Sequence, residues 1–395
     1  MDMFDMKPIT ALCVGASMVL GIGAARADGS EANPVIVVTS DSTTLVKNGE
    51  GVIDPEGKQT VSIINFEGQE PKLISTIPLG NSLWGPPVNI AITPDKRLAL
   101  ISESVRFGEG EKRSTLVPGT IVHVLDLTTN PLEKIAQVSV GKQPSGLSIN
   151  PQGNMALVAN AGDKFISILS IRGKEVSVDG KVEISGAATH VEITPDGRMA
   201  LATMQDDHKV AVLTIDGLTV TNVGQDLPVG PYPFNLDITP NGDLAIVANT
   251  GKGGRSDGNI DTVSIIDLKS NPVRVIDHVT VGDGPEGIVV SPTGQIAVVG
   301  LLDGGDAPND SSYYHRRGRI VILGIDQKKV SRLGEITLGG IPEALAFSPD
   351  GRFLLVGNML DQDIAVLRVN GTEVVDTGRR LPLPAQPAAM RASAR

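Results

Sequence analysis

The stretch Pro233-Phe-Asn-Leu-Asp-Ile-Thr-Pro-Asn-Gly-Asp-Leu-Ala-Ile-Val-Ala-Asn249 alternates in residue type and then turns sharply. Phe234, Leu236 and Ile238 fall on one side and Asn235 and Asp237 on the other, and a period of two marks a strand. In the turn that follows, proline fixes φ and glycine supplies the positive φ that a tight reversal needs. Three further Val/Ile-rich runs, from Asp243 to Asn249, Thr262 to Leu268 and Val273 to Val281, complete a unit of four short strands. Copies of its opening start at Pro87, Pro144, Ala188, Pro285 and Pro342, and the turn prolines Pro94, Pro151, Pro195, Pro240, Pro292 and Pro349 recur every 44 to 57 residues. A repeat of that length built from four strands predicts the blades of a propeller.

Six such openings leave a seventh blade incomplete. The N-terminal stretch from Val35 to Ile77 holds three strands, and Pro384-Ala-Gln-Pro-Ala-Ala-Met-Arg-Ala near the C-terminus copies Gly141-Lys-Gln-Pro-Ser-Gly-Leu-Ser-Ile. The segment 387–393 is therefore expected to pair beside Val35 to Thr39, closing an all-β ring of seven four-stranded blades and removing its open edges. Residues 28–395 are read as one domain.

Residues 1–27 read as a secretory signal peptide, with an apolar run from Ala11 to Ala24 and a small-residue stop at Ala25-Arg26-Ala27. That run is too short to span a membrane, and no later segment is long enough. A periplasmic or secreted monomer is expected. Cys13, the single cysteine, would leave with the leader, so no disulfide or thiolate chemistry is expected of the exported chain. The net charge of −11 disfavours nucleic acid as a partner.

The Ser/Thr-Pro-Asp-Gly turns, followed by Ala-Leu-Val-Ala-Asn (156–160), Ala-Ile-Val-Ala-Asn (245–249) and Leu-Leu-Val-Gly-Asn (354–358), resemble the YVTN-repeat, lactonase-like propellers over about residues 33–393. Leu157, Ile246 and Leu355 stand where that family has tyrosine. The resemblance implies a seven-bladed fold and two kinds of function, periplasmic binding or lactone hydrolysis of the 6-phosphogluconolactonase type. It also implies a histidine at His190, whereas Phe234 and Asn235 stand where the lactonase branch carries Arg-His.

Second-to-third-strand connections at 40–57, 103–119, 250–259 and 303–318 are long and share a face with the inter-blade connections, a common setting for binding. Trp84, Tyr232, Tyr313 and Tyr314 fall in loops of this face, beside Arg106, Lys112, Arg113, Lys252, Arg255, His315, Arg316 and Arg317. Aromatic faces with guanidinium groups suit a small anionic or sugar-like ligand, or a periplasmic protein partner. The plainer expectation is that the bases pair with Asp303, Asp306, Asp310, Glu109 and Glu111.

Asn89, His190 and Asn235, then Glu192, Asp237 and Arg391, occupy matched offsets of the inner strands and should approach the central channel, with Glu286 and Glu343 just after their inter-blade prolines. Four carboxylates there suit Ca²⁺; alternatively water fills the channel and Arg391 neutralises a neighbouring acid. In an enzyme, His190 would be the base and Glu192 or Asp237 would orient it or activate water. The histidines show no HxH or HExxH spacing, so no transition-metal site is expected. Recognition across the long-loop face, without chemistry, is the leading expectation, and lactone hydrolysis or isomerisation the rival.

Overall fold

The computed structural model describes residues 35–66, 70–82, 84–85, 87–108 and 115–393; the expected leader and the bases Lys112 and Arg113 lie outside them. The strands form seven four-stranded antiparallel sheets and one separate two-stranded hairpin. Each sheet is one blade of a seven-bladed β-propeller. The fifth runs Pro233–Ile238, Leu244–Asn249, Asp261–Asp267 and Arg274–Gly282, in the order expected of the repeat.

Each Ser/Thr-Pro-Asp-Gly turn is held by its own side chains. At Thr194 the hydroxyl donates to Asp196 Oδ1 at 2.6 Å and accepts the Met199 N–H at 3.1 Å, while Asp196 Oδ1 accepts the Arg198 N–H at 3.0 Å. Gly197 sits at φ 71°, a conformation that costs other residues more. The asparagine closing the second strand acts just as locally. Asn249 Nδ2 donates to Ser264 Oγ at 2.9 Å, and Asn160 Nδ2 to Ser167 Oγ at 3.0 Å. The repeated Asn therefore ties strand two to strand three.

The core lies between blades. Leu157 and Ile166 of the third blade pack with Val191 and Ala202 of the fourth, and each blade meets its neighbour through a comparable apolar layer. The last strand, Pro387–Ala392, closes the ring beside Val35–Asp41, with Ile36 opposite Ala392 and Val38 opposite Met390. Ile36, Val38 and Met390 then pack on Leu355 and Val366 of the seventh blade. Pairing both sides of Val35–Asp41 satisfies backbone groups that would otherwise form an exposed edge.

Two of the expected loops contain strand. Over 103–119 the ladder between Leu98–Phe107 and Leu116–Asp126 continues past an irregularity at Glu103/Val105, out to Phe107 opposite Leu116. Within 40–57, Thr44–Lys47 and Glu50–Ile53 form the separate hairpin. Asn48 and Gly49 turn it at φ 51° and 79°, as an Asn-Gly hairpin turn requires. Among the described residues, no helix is long and apolar enough to cross a membrane.

Candidate functional site

The Asn48-Gly49 tip reaches loops of the fifth and sixth blades. Arg255 Nη1 donates to Gly49 O at 3.3 Å, and the Asn309 N–H donates to Asn48 Oδ1 at 2.8 Å. Val46 packs against Leu302, Ile341 and Met359. The hairpin thereby forms part of the wall of a cavity of about 210 Å³ at the mouth, together with Trp84, Phe234, Arg255, Glu286 and Glu343. Trp84 is half exposed, and its Nε1 donates to Thr44 Oγ1 of the hairpin at 3.3 Å.

Glu286 and Glu343 each follow the proline that opens an inner strand, and equal offsets in adjacent blades bring their carboxyls into a shared hydrogen bond. Burial, then the bond to Glu343 and its charge, holds Glu286 well above the usual carboxylate range. Burial, with the Asp306 charge adding, pushes Glu343 up to about 7. Two acids this close cannot both ionise in a low-dielectric site. Glu286 is the carboxyl whose proton is held, and it donates to Glu343.

Below the mouth, a chamber of about 170 Å³ in the channel is lined by Asn235, Asp237, Glu343 and Arg391 among apolar residues that include Ile288 and Phe347. Glu343 borders both cavities. Arg391 Nη2 donates to Glu192 Oε1 at 2.8 Å, and Ser148 Oγ donates to the same oxygen at 3.1 Å. Burial raises the Glu192 carboxyl, but the Arg391 charge and the His190 contact outweigh it and hold it below its usual value. Asp237 is pushed up to about 6 by burial and by the Glu192 charge; its carboxylate accepts the Val290 N–H at 2.7 Å and the Ile238 N–H at 2.8 Å. His190 is fully buried, 3.3 Å from Glu192 Oε2, and neither ring nitrogen has a well-formed hydrogen bond. Burial lowers its basicity, so the imidazole is neutral.

The remaining sequence candidates scatter. Asn89 is a buried staple that accepts Thr39 Oγ1 at 2.9 Å. Tyr232 lies against Gly254, and its N–H donates to His208 Nδ1 at 3.0 Å. Tyr313 packs on Gly258. Tyr314, His315, Arg316 and Arg317 line a separate open hollow with Arg319 and Asp303. Arg106 stands exposed on the extended ladder opposite Val117.

The single crowded mouth expected from the loops is thus divided, because most of its bases are already engaged. Arg316 pairs with Asp361 at 2.7 Å, Arg317 Nε donates to Leu338 O at 2.8 Å, and Asp303 is taken by Arg319. Of the four carboxylates considered for Ca²⁺, Glu192 is paired with Arg391, Asp237 lines the chamber, Glu286 lines the mouth, and Glu343 borders both cavities. Among the described residues no group of three or more His, Cys, Asp or Glu side chains is arranged to hold a metal ion. Sequence reasoning missed the hairpin wall and the carboxyl pairing, although Asn48-Gly49 signalled the first and the matched Pro-Glu steps at 285–286 and 342–343 the second.

No family model and no curated protein matches the sequence. Solved structures do match. A candidate 6-phosphogluconolactonase from Bacteroides fragilis superposes with TM-score 0.69 at 16% identity, over 92% of this chain and 99% of that one. A periplasmic gluconolactonase from Pseudomonas aeruginosa gives 0.66 at 17% identity, over 91% and 99%. A protein of unknown function from Desulfotomaculum acetoxidans gives 0.66 at 17%, over 92% and 99%. At such identities the likeness is one of fold: this chain has the seven-bladed architecture of the lactonase-like propellers, which by itself selects no activity.

Proposed function

We propose that this protein is an exported binding propeller whose mouth takes a hydroxyl-rich, sugar-like ligand without transforming it. The observation that carries this reading is the meeting, in one cavity, of the Trp84 indole with the Glu286–Glu343 pair beside the hairpin. An indole face accepts the C–H face of a sugar ring, and hydroxyls need donors and acceptors together. A protonated carboxyl bonded to an ionised one offers both. The acidic lining, Glu50, Glu286, Asp306 and Glu343 against Arg255, argues for a neutral or cationic ligand over the anionic one considered from sequence.

Trp84 is the only tryptophan, so its fluorescence reports this cavity alone. Titration with a panel of sugars and sugar lactones should give a saturable change with at least one, weakened about tenfold or more in a Glu343→Gln variant. No saturable response across the panel rejects the reading.

A second reading, hydrolysis of a sugar lactone, is favoured by the neutral His190 beside Glu192 and by Arg391 in the same channel. His190 would act as base and Arg391 would polarise the carbonyl, a role for which Phe234 and Asn235 carry no cation. Lactone hydrolysis abolished by His190→Ala, with Trp84-reported binding retained, would establish it over pure binding.

A further inference from the structure

We propose that the chamber below the mouth recognises an ammonium group carried by the ligand, so that the protein selects amino sugars over neutral ones. This inference rests on the mouth being a sugar site, as proposed above. Asn235 lines the chamber, is 1% exposed, and its Oδ1 accepts no hydrogen bond. Asp237 and Glu343 line the same space. The only base among the lining residues, Arg391, is already paired to Glu192 at 2.8 Å. The chamber therefore holds one unpaired amide oxygen and two carboxyls, served by a single guanidinium whose hydrogen bond goes to Glu192 and whose charge only partly offsets Asp237.

An ammonium group carries three N–H donors and no acceptor. It supplies the donor that Asn235 Oδ1 lacks, where a buried acceptor left unpaired is costly, and adds positive charge beside Asp237 and Glu343. Ile288, Leu345 and Phe347 complete the wall and favour a compact, partly dehydrated group. A calcium ion wants six to eight oxygens, whereas an ammonium group is satisfied by three acceptors. Glu343 borders both cavities, so we place the sugar ring against Trp84 and its ammonium substituent beyond Glu343, in the chamber. Burial first, and then the Glu192 charge at Asp237 and the Asp306 charge at Glu343, raise the proton affinities of both carboxyls in this enclosed space. A bound cation reverses that effect and drives protons off.

The test uses the full chain at pH 7 with glucose, glucosamine and glucuronate, read by Trp84 fluorescence and by calorimetry in two buffers of different ionisation enthalpy. Glucosamine is expected to bind at least tenfold more tightly than glucose, glucuronate more weakly than either, and glucosamine binding to release protons. In Asp237→Asn the advantage of glucosamine should shrink to about twofold; if that variant does not fold, proton release by the unaltered protein decides the matter. Glucose binding as tightly as glucosamine overturns the ammonium site and leaves the sugar site standing. Failure of all three sugars, and of the wider panel, overturns both. Equal proton release on adding Ca²⁺ or K⁺ alone would mark an inorganic cation site and also overturn the proposal.

Discussion

Arg391 Nη2 lies 2.8 Å from Glu192 Oε1, joining the last strand of the ring to the fourth blade across the central channel, between residues 199 apart in the chain. The C-terminal strand thus completes the first blade and also supplies the cation that balances a buried acid. Replacing Arg391 by Met strands that acid. Loss of one partner of a buried pair costs about 3–5 kcal/mol, so Arg391→Met should unfold at clearly lower urea concentration. Adding Glu192→Gln should recover part of the loss; a double variant as unstable as the single one would show that the pair is not what matters.

Truncation after Leu383 removes the strand Pro387–Ala392 and exposes the edge of Val35–Asp41. With Met390 and Ala389 lost from two inter-blade layers, the melting temperature should fall by about 5 °C, which corresponds to roughly 4 kcal/mol for a chain of this size. A melting curve that does not move contradicts closure by this strand.

Stability should decline as pH rises from about 4 to 7. Glu343 is pushed up to about 7 from 4.5, and Asp237 to about 6 from 3.8. Over that window the unfolded chain has released protons that the folded chain still holds, so raising the pH favours unfolding. Above pH 7 the contribution of these two groups levels off. Glu343→Gln should flatten much of the slope and raise the melting temperature at pH 8 by about 2–4 °C. A slope unchanged by the substitution would dissociate it from Glu343.

Gly49 sets how the hairpin seats on the mouth. Its φ is 79°, and a Cβ there would lie 2.6 Å from Pro308 N and 2.7 Å from Pro308 Cδ. Gly49→Val should lift the tip from the sixth-blade loop and speed ligand release about tenfold in stopped-flow Trp84 fluorescence. The melting temperature should shift by less than about 2 °C, since the hairpin pairs with no blade. Unaltered release kinetics would mean that the hairpin does not cover the site.

Much of the ring was legible because its signals are short-range. The alternation from Phe234 to Ile238 and the Thr194-Asp196-Gly197 turn each act within a handful of residues, so reading along the chain recovers them. Of the proposed site, Trp84, Arg255 and Asn235 were readable as candidates and do line the two cavities. Tyr313, Tyr314, Arg316 and Arg317 were equally readable, yet they belong to separate surroundings. Residue type alone does not distinguish a guanidinium facing a ligand from one spent on Asp361.

The sequence by itself determined that this chain would be built of four-stranded units, how many there would be, and that its two ends would share one of them, since strand period, turn chemistry and repeat count are local properties. Only the tertiary structure decided which charges meet. Glu286 finds Glu343, and Arg391 finds Glu192, through the geometry of the closed ring, which sets residues from different blades at the same height around one axis. Contacts of that kind depend on blade order and channel radius, which no stretch of neighbouring residues encodes.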